Sequence, residues 1–190
     1  MPEPRLAPLA ALGRPIPVVD VFPGLTIREN PEGALASVAM RLGCEGGFAA
    51  AARALFGFDL PGPGIHCEIA PWGAFWTGPE QWFIEAPFAS HEDIAARIKA
   101  GLGTNASVTE QTDGWARFDV EGVSAYAVFE RLCPLDVRKM KSGSAGRTLI
   151  EHLGCLVICR IEGWRFSVLG PRSCAASLHH ALLTAALSIA

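Results

Sequence analysis

The sequence predicts an α+β fold built from two related βαββα units, with antiparallel or mixed sheets whose helices pack on one side. Two observations indicate this fold: a strand changes into a helix at Gly122, and the same order of elements occurs twice along the chain. A third is the length of 190 residues, which is enough to bury a large core without disulfides.

The clearest local pattern surrounds Gly122. Polar and apolar residues alternate across positions 115–121, which is the period of a strand with one buried face. Beyond Gly122 the apolar spacing becomes helical, and Pro134 ends that helix. Ser124 is predicted to satisfy a free amide of the first turn. The predicted buried face of the strand consists of Ala116, Phe118 and Val120.

The second pattern is a repeat of element order. Each half reads strand, glycine, helix, an exit with Leu, Pro and Asp, a hairpin, a proline, a serine cap and a second helix. Residues 47–61 parallel residues 122–136, and residues 82–90 parallel residues 164–173. Two βαββα units are the simplest interpretation of this repeat.

The N-terminus is predicted to be an extended arm over residues 1–24. Residues 1–16 contain four prolines and little periodicity, and such a segment is ordered only if something holds it. The domain that follows is predicted to cover residues 25–190, with units of about 25–103 and about 104–190.

The remaining elements follow from apolar patterning and from the positions of Gly, Pro and Ser. Residues 35–42 are predicted as a strand, with a helix as the alternative because Ala and Met at these positions favour helices. The Gly-, Ser- and Lys-rich loop at residues 139–146 is predicted to be the most mobile interior segment. Further predicted strands cover residues 18–21, 25–28, 66–70, 74–77, 81–86, 108–112, 148–152, 155–161 and 164–169. Predicted helices cover residues 48–56, 90–99, 123–132 and 174–187, with Ser90 and Ser173 as caps.

The composition favours a partner chain over a nucleic acid or a membrane. Half of the residues are apolar and only 18% are charged, against about 25% in typical domains. Either the core is well filled or another chain covers part of the surface, and we favour the second. The net charge of −3 disfavours nucleic acid. No apolar run approaches the ~20 residues of a membrane span and the N-terminus lacks a signal-peptide core, so a cytoplasmic protein is predicted.

The cysteines are predicted to be reduced thiols and not metal ligands. His152, Cys155 and Cys159 suggest a metal site, but Cys155 and Cys159 lie four residues apart in a predicted strand, which separates them by about 13 Å. Buried cysteines acting as small apolar side chains explain them better. The six cysteines are at positions 44, 67, 133, 155, 159 and 174.

Other candidate groups also favour structural roles. His179 and His180 are expected to interact with the C-terminal dipole of the last helix. Neither Gly-x-Gly-x-x-Gly nor a phosphate loop is present, so no flavin or nicotinamide binding by this chain is expected. Asp113, Asp119 and Asp136 are candidates for a catalytic base, but the sequence places no partner beside them. Arg138, Lys139 and Lys141 are expected to form a solvated loop and not a phosphate site. The five tryptophans, Trp72, Trp76, Trp82, Trp115 and Trp164, are expected to be packing residues more than the lining of a ligand pocket.

Several segments resemble a known family. They are Trp-Thr-Gly-Pro-Glu-Gln-Trp-Phe-Ile-Glu-Ala-Pro at residues 76–87, Asp-Gly-Trp-Ala-Arg-Phe-Asp-Val-Glu-Gly at 113–122, Leu-Cys-Pro-Leu-Asp at 132–136, Cys-Arg-Ile at 159–161 and Phe-Ser-Val-Leu-Gly-Pro-Arg-Ser at 166–173. As a set they are similar to the γ subunit of heterotetrameric sarcosine oxidase. The likeness runs from about residue 25 to the C-terminus, while residues 61–64 and 155–159 depart from the family pattern.

The resemblance implies a fold related to the folate-binding aminomethyltransferases of the glycine-cleavage system. It also implies a chain without catalytic, cofactor-binding or metal-binding residues, which packs against α, β and δ subunits, with α as the main contact. Those subunits would hold FAD, FMN, NAD and zinc, with tetrahydrofolate as co-substrate. The complex would convert sarcosine to glycine, giving hydrogen peroxide and either formaldehyde or 5,10-methylenetetrahydrofolate.

Two other functions stay open at this point. One is a stand-alone folate-binding or one-carbon-transfer protein that uses a Trp-lined cleft and a base such as Asp113. The other is a free-standing domain that binds a small molecule.

Overall fold

The computed structural model describes residues 9–189, which form two antiparallel sheets that face each other. Each sheet carries two helices on its opposite face, which confirms the α+β fold class. The strands are β1 (Val19–Phe22), β2 (Leu25–Glu29), β3 (Gly33–Met40), β4 (His66–Ile69), β5 (Trp72–Gly78), β6 (Gln81–Pro87), β7 (Ala106–Glu110), β8 (Trp115–Glu121), β9 (Ala145–Ile150), β10 (Leu153–Ile161) and β11 (Arg165–Pro171). The helices are α1 (Glu45–Phe56), α2 (Ile94–Leu102), α3 (Ala125–Leu132) and α4 (Ala175–Leu187).

The predicted repeat is present, with one strand more per unit than the predicted βαββα pattern. The additional strands, β4 and β9, correspond to the strands predicted over residues 66–70 and 148–152. The first unit runs β3-α1-β4-β5-β6-α2 and the second β8-α3-β9-β10-β11-α4. Their strands have equivalent orders, β4-β5-β6-β3 in the five-stranded sheet and β9-β10-β11-β8 in the six-stranded sheet. Each repeat is therefore βαβββα, because a short strand precedes each hairpin.

Strands cross between the two halves of the chain. β2 lies before the first unit but pairs with β8 in the sheet of the second, and β7 follows the first unit and pairs with β3. The division at about residue 103 is therefore a division of the repeat and not of the sheets. This exchange ties the two units into one body.

Apolar side chains fill three layers. One cluster lies between the six-stranded sheet and α3 and α4, and a second lies between the five-stranded sheet and α1 and α2. A third joins the facing surfaces of the two sheets. The inter-sheet cluster consists of Leu35, Phe75 and Phe83 from one sheet and Leu156, Ile158 and Leu169 from the other.

The N-terminal segment is held against the molecule by a buried carboxylate. Both carboxylate oxygens of Glu29 accept backbone N–H groups, from Leu12 at 2.8 Å and from Val18 at 3.1 Å. Glu29 is only 3% exposed. β1 then pairs with β2 as the edge of the six-stranded sheet. Residues 1–8 of the predicted arm lie outside the described residues.

The predicted starts of all four helices are wrong in detail. α1 begins at Glu45, three residues before the predicted start. α2 begins at Ile94 because a single 3₁₀ turn precedes it, and Ser90 Oγ donates to the carbonyl of Pro87 instead of capping the helix. A 3₁₀ turn also precedes α4, which places Cys174 and not Ser173 at the N-cap. Ser124 is at the N-cap of α3, but its side chain makes no capping hydrogen bond.

Two segments of the second half differ from the expected strands and loop. The strand predicted over residues 148–152 is β9, which starts at Ala145 and ends at Ile150 because Glu151 and His152 form a turn with positive φ. Backbone hydrogen bonds hold the loop before β9 against β10, from Gly143 N to Cys159 O and from Cys159 N to Ser144 O. The mobility of this loop stays a prediction. Within residues 9–189, none of the helices has the length and apolar content to cross a membrane.

Gly122 is predicted to be the position least tolerant of a side chain. A Cβ at Gly122 would lie 2.2 Å from the carbonyl oxygen of Gly24, and the φ of +134° is unfavourable for other residues. We expect Gly122→Ala to lower the free energy of unfolding by more than about 2 kcal/mol, measured by urea denaturation.

Gly46 provides the matched control. It lies in α1 with open space around its Cβ position, so Gly46→Ala is expected to be neutral or stabilising by about 0.5–1 kcal/mol. Equal stability of the wild-type protein and Gly122→Ala would show that the β1–β2 turn and Gly122 do not pack as described.

Candidate functional site

The facing sheets diverge at one end and leave a cleft of about 630 Å³. Its lining combines charged side chains from both sheets with a few apolar ones at the mouth. The charged and polar members are Asn30, Glu32, His66, Glu68, Glu85, Arg117, Arg160 and Arg165. Cavities of this size with convergent polar groups are the usual location of a binding site.

A two-pronged ion pair between Arg160 on β10 and Glu85 on β6 crosses the floor of the cleft. Arg160 Nη1 lies 2.6 Å from Glu85 Oε1, and Nη2 lies 2.9 Å from Oε2. The side chains are 9% and 13% exposed. A β-bulge between Cys159 and Ile161 reorients the strand at Arg160, so Arg160 and Ile161 both line the cleft.

A glycine makes room for the close approach of His66 and Glu85. His66 on β4 places Nε2 2.8 Å from Glu85 Oε1, across the intervening strand β5. Gly73 on β5 lies between them, and a Cβ there would come within 2.8 Å of Glu85 Cγ and 3.2 Å of His66 Nε2. Any larger residue at position 73 would push the Glu85 side chain away from its partners.

Asp119 on β8 is the second buried acid beside the cleft, and it is only 1% exposed. Its Oδ1 accepts from Ser167 Oγ at 2.6 Å and from Arg117 Nε at 2.9 Å. Asn30 Nδ2 at 2.7 Å and Arg165 Nη2 at 3.3 Å donate to Oδ2. The polar side of β8 is therefore not the solvated face that the alternation predicted.

Ser167 joins the two ionic groups. Its hydroxyl donates to Asp119 and accepts from Arg160 Nε at 3.0 Å. Arg117 provides a second link, because its Nη1 lies 3.6 Å from Glu85 Oε2. The charges of the cleft thus form one connected network.

Both buried acids stay ionised at neutral pH. Burial opposes ionisation of Glu85, but Arg160 and the hydrogen bonds from His66 and Arg160 outweigh it and hold its pKa well below the ordinary 4.5. Burial also opposes ionisation of Asp119, and Arg117 with the hydrogen bond from Ser167 lowers its pKa below 3.8. Neither group can act as a general acid near pH 7.

The guanidinium group of Arg160 occupies the position that a metal ion would need. His66, Glu68 and Glu85 bring their donor atoms within 4.8 Å of one another. Arg160 Nη1, however, lies 2.6 Å from Glu85 and 2.9 Å from His66. These residues therefore do not fit a metal ion while Arg160 is in place.

The predicted aspartates do not meet. Asp119 belongs to the cleft, but Asp113 is exposed and lies 3.6 Å from Arg172. Asp136 is exposed and pairs with Lys139 at 2.7 Å. Asp113 lines a second, smaller cavity of about 140 Å³ together with Trp115, but its side chain is 92% exposed and lies outside the larger cleft.

His179 has a structural role different from the predicted one. His179 lies in the first half of α4 and not in its last turn. The predicted interaction of His179 with the C-terminal helix dipole is therefore wrong. Its Nε2 lies 2.8 Å from Asp20 Oδ2, and its ring stacks on Phe118. His179 therefore connects α4 to the edge strand β1.

The cysteines and tryptophans are distributed through the packing layers. Cys155 and Cys159 point from β10 toward the helices, and burial raises the pKa of each thiol to about 11. The tryptophans share no pocket within residues 9–189: Trp72 and Trp82 pack with α1, Trp115 packs between the sheets, and Trp164 is half exposed. None of them lines the cleft.

Two solved structures share this fold. One is heterotetrameric sarcosine oxidase from Corynebacterium sp. U-96 in complex with pyrrole 2-carboxylate, with a TM-score of 0.76 and 21% identity over 86% of this chain and 84% of that chain. The other is aminomethyltransferase T of the glycine cleavage system from Bartonella henselae, with a TM-score of 0.59 and 14% identity over 82% of this chain and 44% of that chain. This chain thus spans less than half of the aminomethyltransferase. No family model and no curated protein matches the sequence.

Removing the charge of Glu85 is predicted to destabilise the fold. Glu85→Gln keeps the shape but leaves Arg160 as a buried and largely unpaired cation, which costs about 3–5 kcal/mol. We expect a loss of this size in urea denaturation. Glu68→Gln is the control, because Glu68 is 62% exposed and lies 3.8 Å from Arg160. A similar small change in both variants would contradict the assigned role of Glu85.

The same pair predicts an acid-dependent loss of stability. Because the pKa of Glu85 is lowered on folding, its contribution is complete above the ordinary value of 4.5 and disappears as the pH falls below it. The free energy of unfolding of the wild-type protein should therefore drop progressively as the pH falls below 4.5. Glu85→Gln should show a smaller drop in urea titrations, since the contribution of Glu85 is then absent while those of Asp119 and the other carboxyl groups remain. Parallel curves for the two proteins would contradict this assignment.

Proposed function

We propose that this chain is the non-catalytic γ subunit of a heterotetrameric sarcosine oxidase. The observation that carries the proposal is the shared fold with a chain of such an oxidase over most of both chains. Since the alignment covers nearly equal fractions of the two, the chains are similar in length. The similarity over most of both chains supports a subunit of the same kind.

The chemistry of the cleft supports a structural role. Glu85 and Asp119 are held ionised by arginines, and each is already engaged by several donors. Groups committed in this way maintain a fold, whereas a catalytic acid or base needs a pKa near the working pH. The buried thiols of Cys155 and Cys159 have pKa values raised to about 11, so they are protonated near pH 7 and are not nucleophilic thiolates.

The surface supports a partner chain. β1 is an edge strand, and its Val19 and Val21 lie on the face of the six-stranded sheet that turns toward the cleft, with exposures of 42% and 75%. Ile161, at the cleft mouth, is 49% exposed. Apolar groups on an open sheet face, in a chain with few charges, are typical of a surface covered by another subunit.

In the proposed complex the reaction takes place on other chains. Sarcosine, water and oxygen would give glycine, formaldehyde and hydrogen peroxide, with tetrahydrofolate able to accept the one-carbon unit. FAD, FMN, NAD and zinc would belong to the α, β and δ subunits, and α would be the main contact of this chain. A cytoplasmic location is part of the same proposal.

A stand-alone folate-binding or one-carbon-transfer protein is the second candidate. The fold shared with aminomethyltransferase T and the cleft of about 630 Å³ favour it. The two candidates differ in what the purified chain does by itself.

Co-purification separates them. We expect the full-length tagged chain, purified from its native source, to bring down companion subunits and to produce hydrogen peroxide when sarcosine is added. The chain expressed alone should show no oxidase activity and should be poorly stable, because a permanent interface of this kind buries well above about 2,000 Å².

Tetrahydrofolate binding is the contrasting readout. A stable isolated chain that binds tetrahydrofolate with micromolar affinity, and recovers no companion subunits, would favour the one-carbon-transfer protein and contradict the subunit role.

A further inference from the structure

Two arginines of the cleft have hydrogen-bond donors left over. Arg117 donates to Asp119 through Nε and Nη2, and its Nη1 has only Glu85 Oε2 nearby, at 3.6 Å. Arg165 donates to Asp119 through Nη2, and its Nε lies 3.0 Å from Glu121 without hydrogen-bond geometry. A guanidinium carries five N–H donors, so Nη hydrogens remain available for a ligand on both arginines, whereas the buried Nε of Arg165 is not available.

The two guanidinium groups are close enough to share one ligand. The Nη2 atoms of Arg117 and Arg165 each lie 3.3 Å from the same oxygen, Asp119 Oδ2, and are therefore within twice that distance of each other. Both side chains line the same cleft. Their fork-shaped donor sets match the two oxygens of a carboxylate.

The charges around the arginines limit what the pair can bind. Arg117, Arg160 and Arg165 face the buried carboxylates of Glu85 and Asp119, and the half-exposed Glu121 lies 3.0 Å from Arg165 Nε. The unused N–H donors, and not an excess of positive charge, therefore define the candidate site. Exposed acids stand at the rim, where Glu32 and Glu68 disfavour a doubly charged anion such as phosphate.

The apolar residues that line the cleft indicate which chemical groups the rest of the ligand carries. Apolar surface from Ala70, Pro71, Pro87 and Ile161 lines the cleft beside the arginines. We propose that the inter-sheet cleft binds a small monocarboxylate, with its carboxylate between Arg117 and Arg165 and its apolar part against these residues. The proposal does not depend on the subunit role, because it concerns only groups of this chain.

Butyrate and its neutral isostere butyramide test this proposal. We expect butyrate, added to the full chain at constant ionic strength, to bind saturably in isothermal titration calorimetry and to raise the melting temperature. Butyramide and inorganic phosphate should do neither at the same concentrations. Equal effects of butyrate and butyramide, or tighter binding of phosphate, would overturn the proposed ligand class.

Variants locate the site. Arg165→Gln should weaken butyrate binding by about tenfold or more, the loss expected for one charge-assisted hydrogen bond. Arg165→Lys should keep part of the affinity because it keeps the charge. Arg147→Gln is the matched control, since Arg147 is exposed on β9 outside the cleft. Far-ultraviolet circular dichroism establishes that each variant is folded, and unchanged affinity in folded Arg165→Gln would overturn the site.

The assembled protein distinguishes a free ligand from a partner's side chain. If butyrate binds the isolated chain but not the chain with its companion subunits in place, a partner polypeptide covers or fills the cleft, and the small-molecule proposal is wrong. Binding in both forms supports it.

Discussion

The buried ion pair between Arg160 and Glu85 is the interaction on which the arrangement of the two sheets depends. The two residues belong to different sheets and meet through two parallel hydrogen bonds. Such a pair adds little stability compared with well-packed apolar groups, but breaking it leaves a buried charge without a partner. The pair therefore selects one alignment of β10 against β6, because only in that alignment do both Nη atoms of Arg160 meet both carboxylate oxygens of Glu85.

The pair also explains why the space between the sheets is apolar at one end and charged at the other. Along β10, Leu156 and Ile158 face the opposite sheet and Arg160 follows them on the same side. Along β6, Phe83 faces inward and Glu85 comes next on that side. Both strands change from apolar to charged within two residues, so the sheets pack closely at one end and enclose a polar cleft at the other.

Much of the fold could be predicted from local patterns. The alternation in β8, the helix after Gly122 and the repeat of element order are all present, because period and turn residues act over short distances. The pairing of β2 with β8 and of β7 with β3 joins segments far apart in sequence, and no local pattern specifies it. The serine caps failed because two helices start after a 3₁₀ turn, which places the N-cap later than the serine.

The cleft itself was not predicted, although part of its signal is visible in the sequence. Glu85 and Arg160 are charged residues at inward positions of strands that are otherwise apolar, and such residues need a buried partner. The sequence does not show that Glu85 and Arg160 are partners, because they meet only when the two sheets face each other. Asp119 was weighed as a base without a partner, and its four partners come from β8, β11 and the chain after β2.

In the proposed assembly this chain contributes structure, and other chains carry out the oxidase chemistry. Native mass spectrometry of the chain isolated from its source under mild conditions tests this most directly. The account predicts a defined assembly that contains this 20.2 kDa chain together with larger, different chains. A homogeneous monomer or a homo-oligomer of 20.2 kDa chains would contradict it.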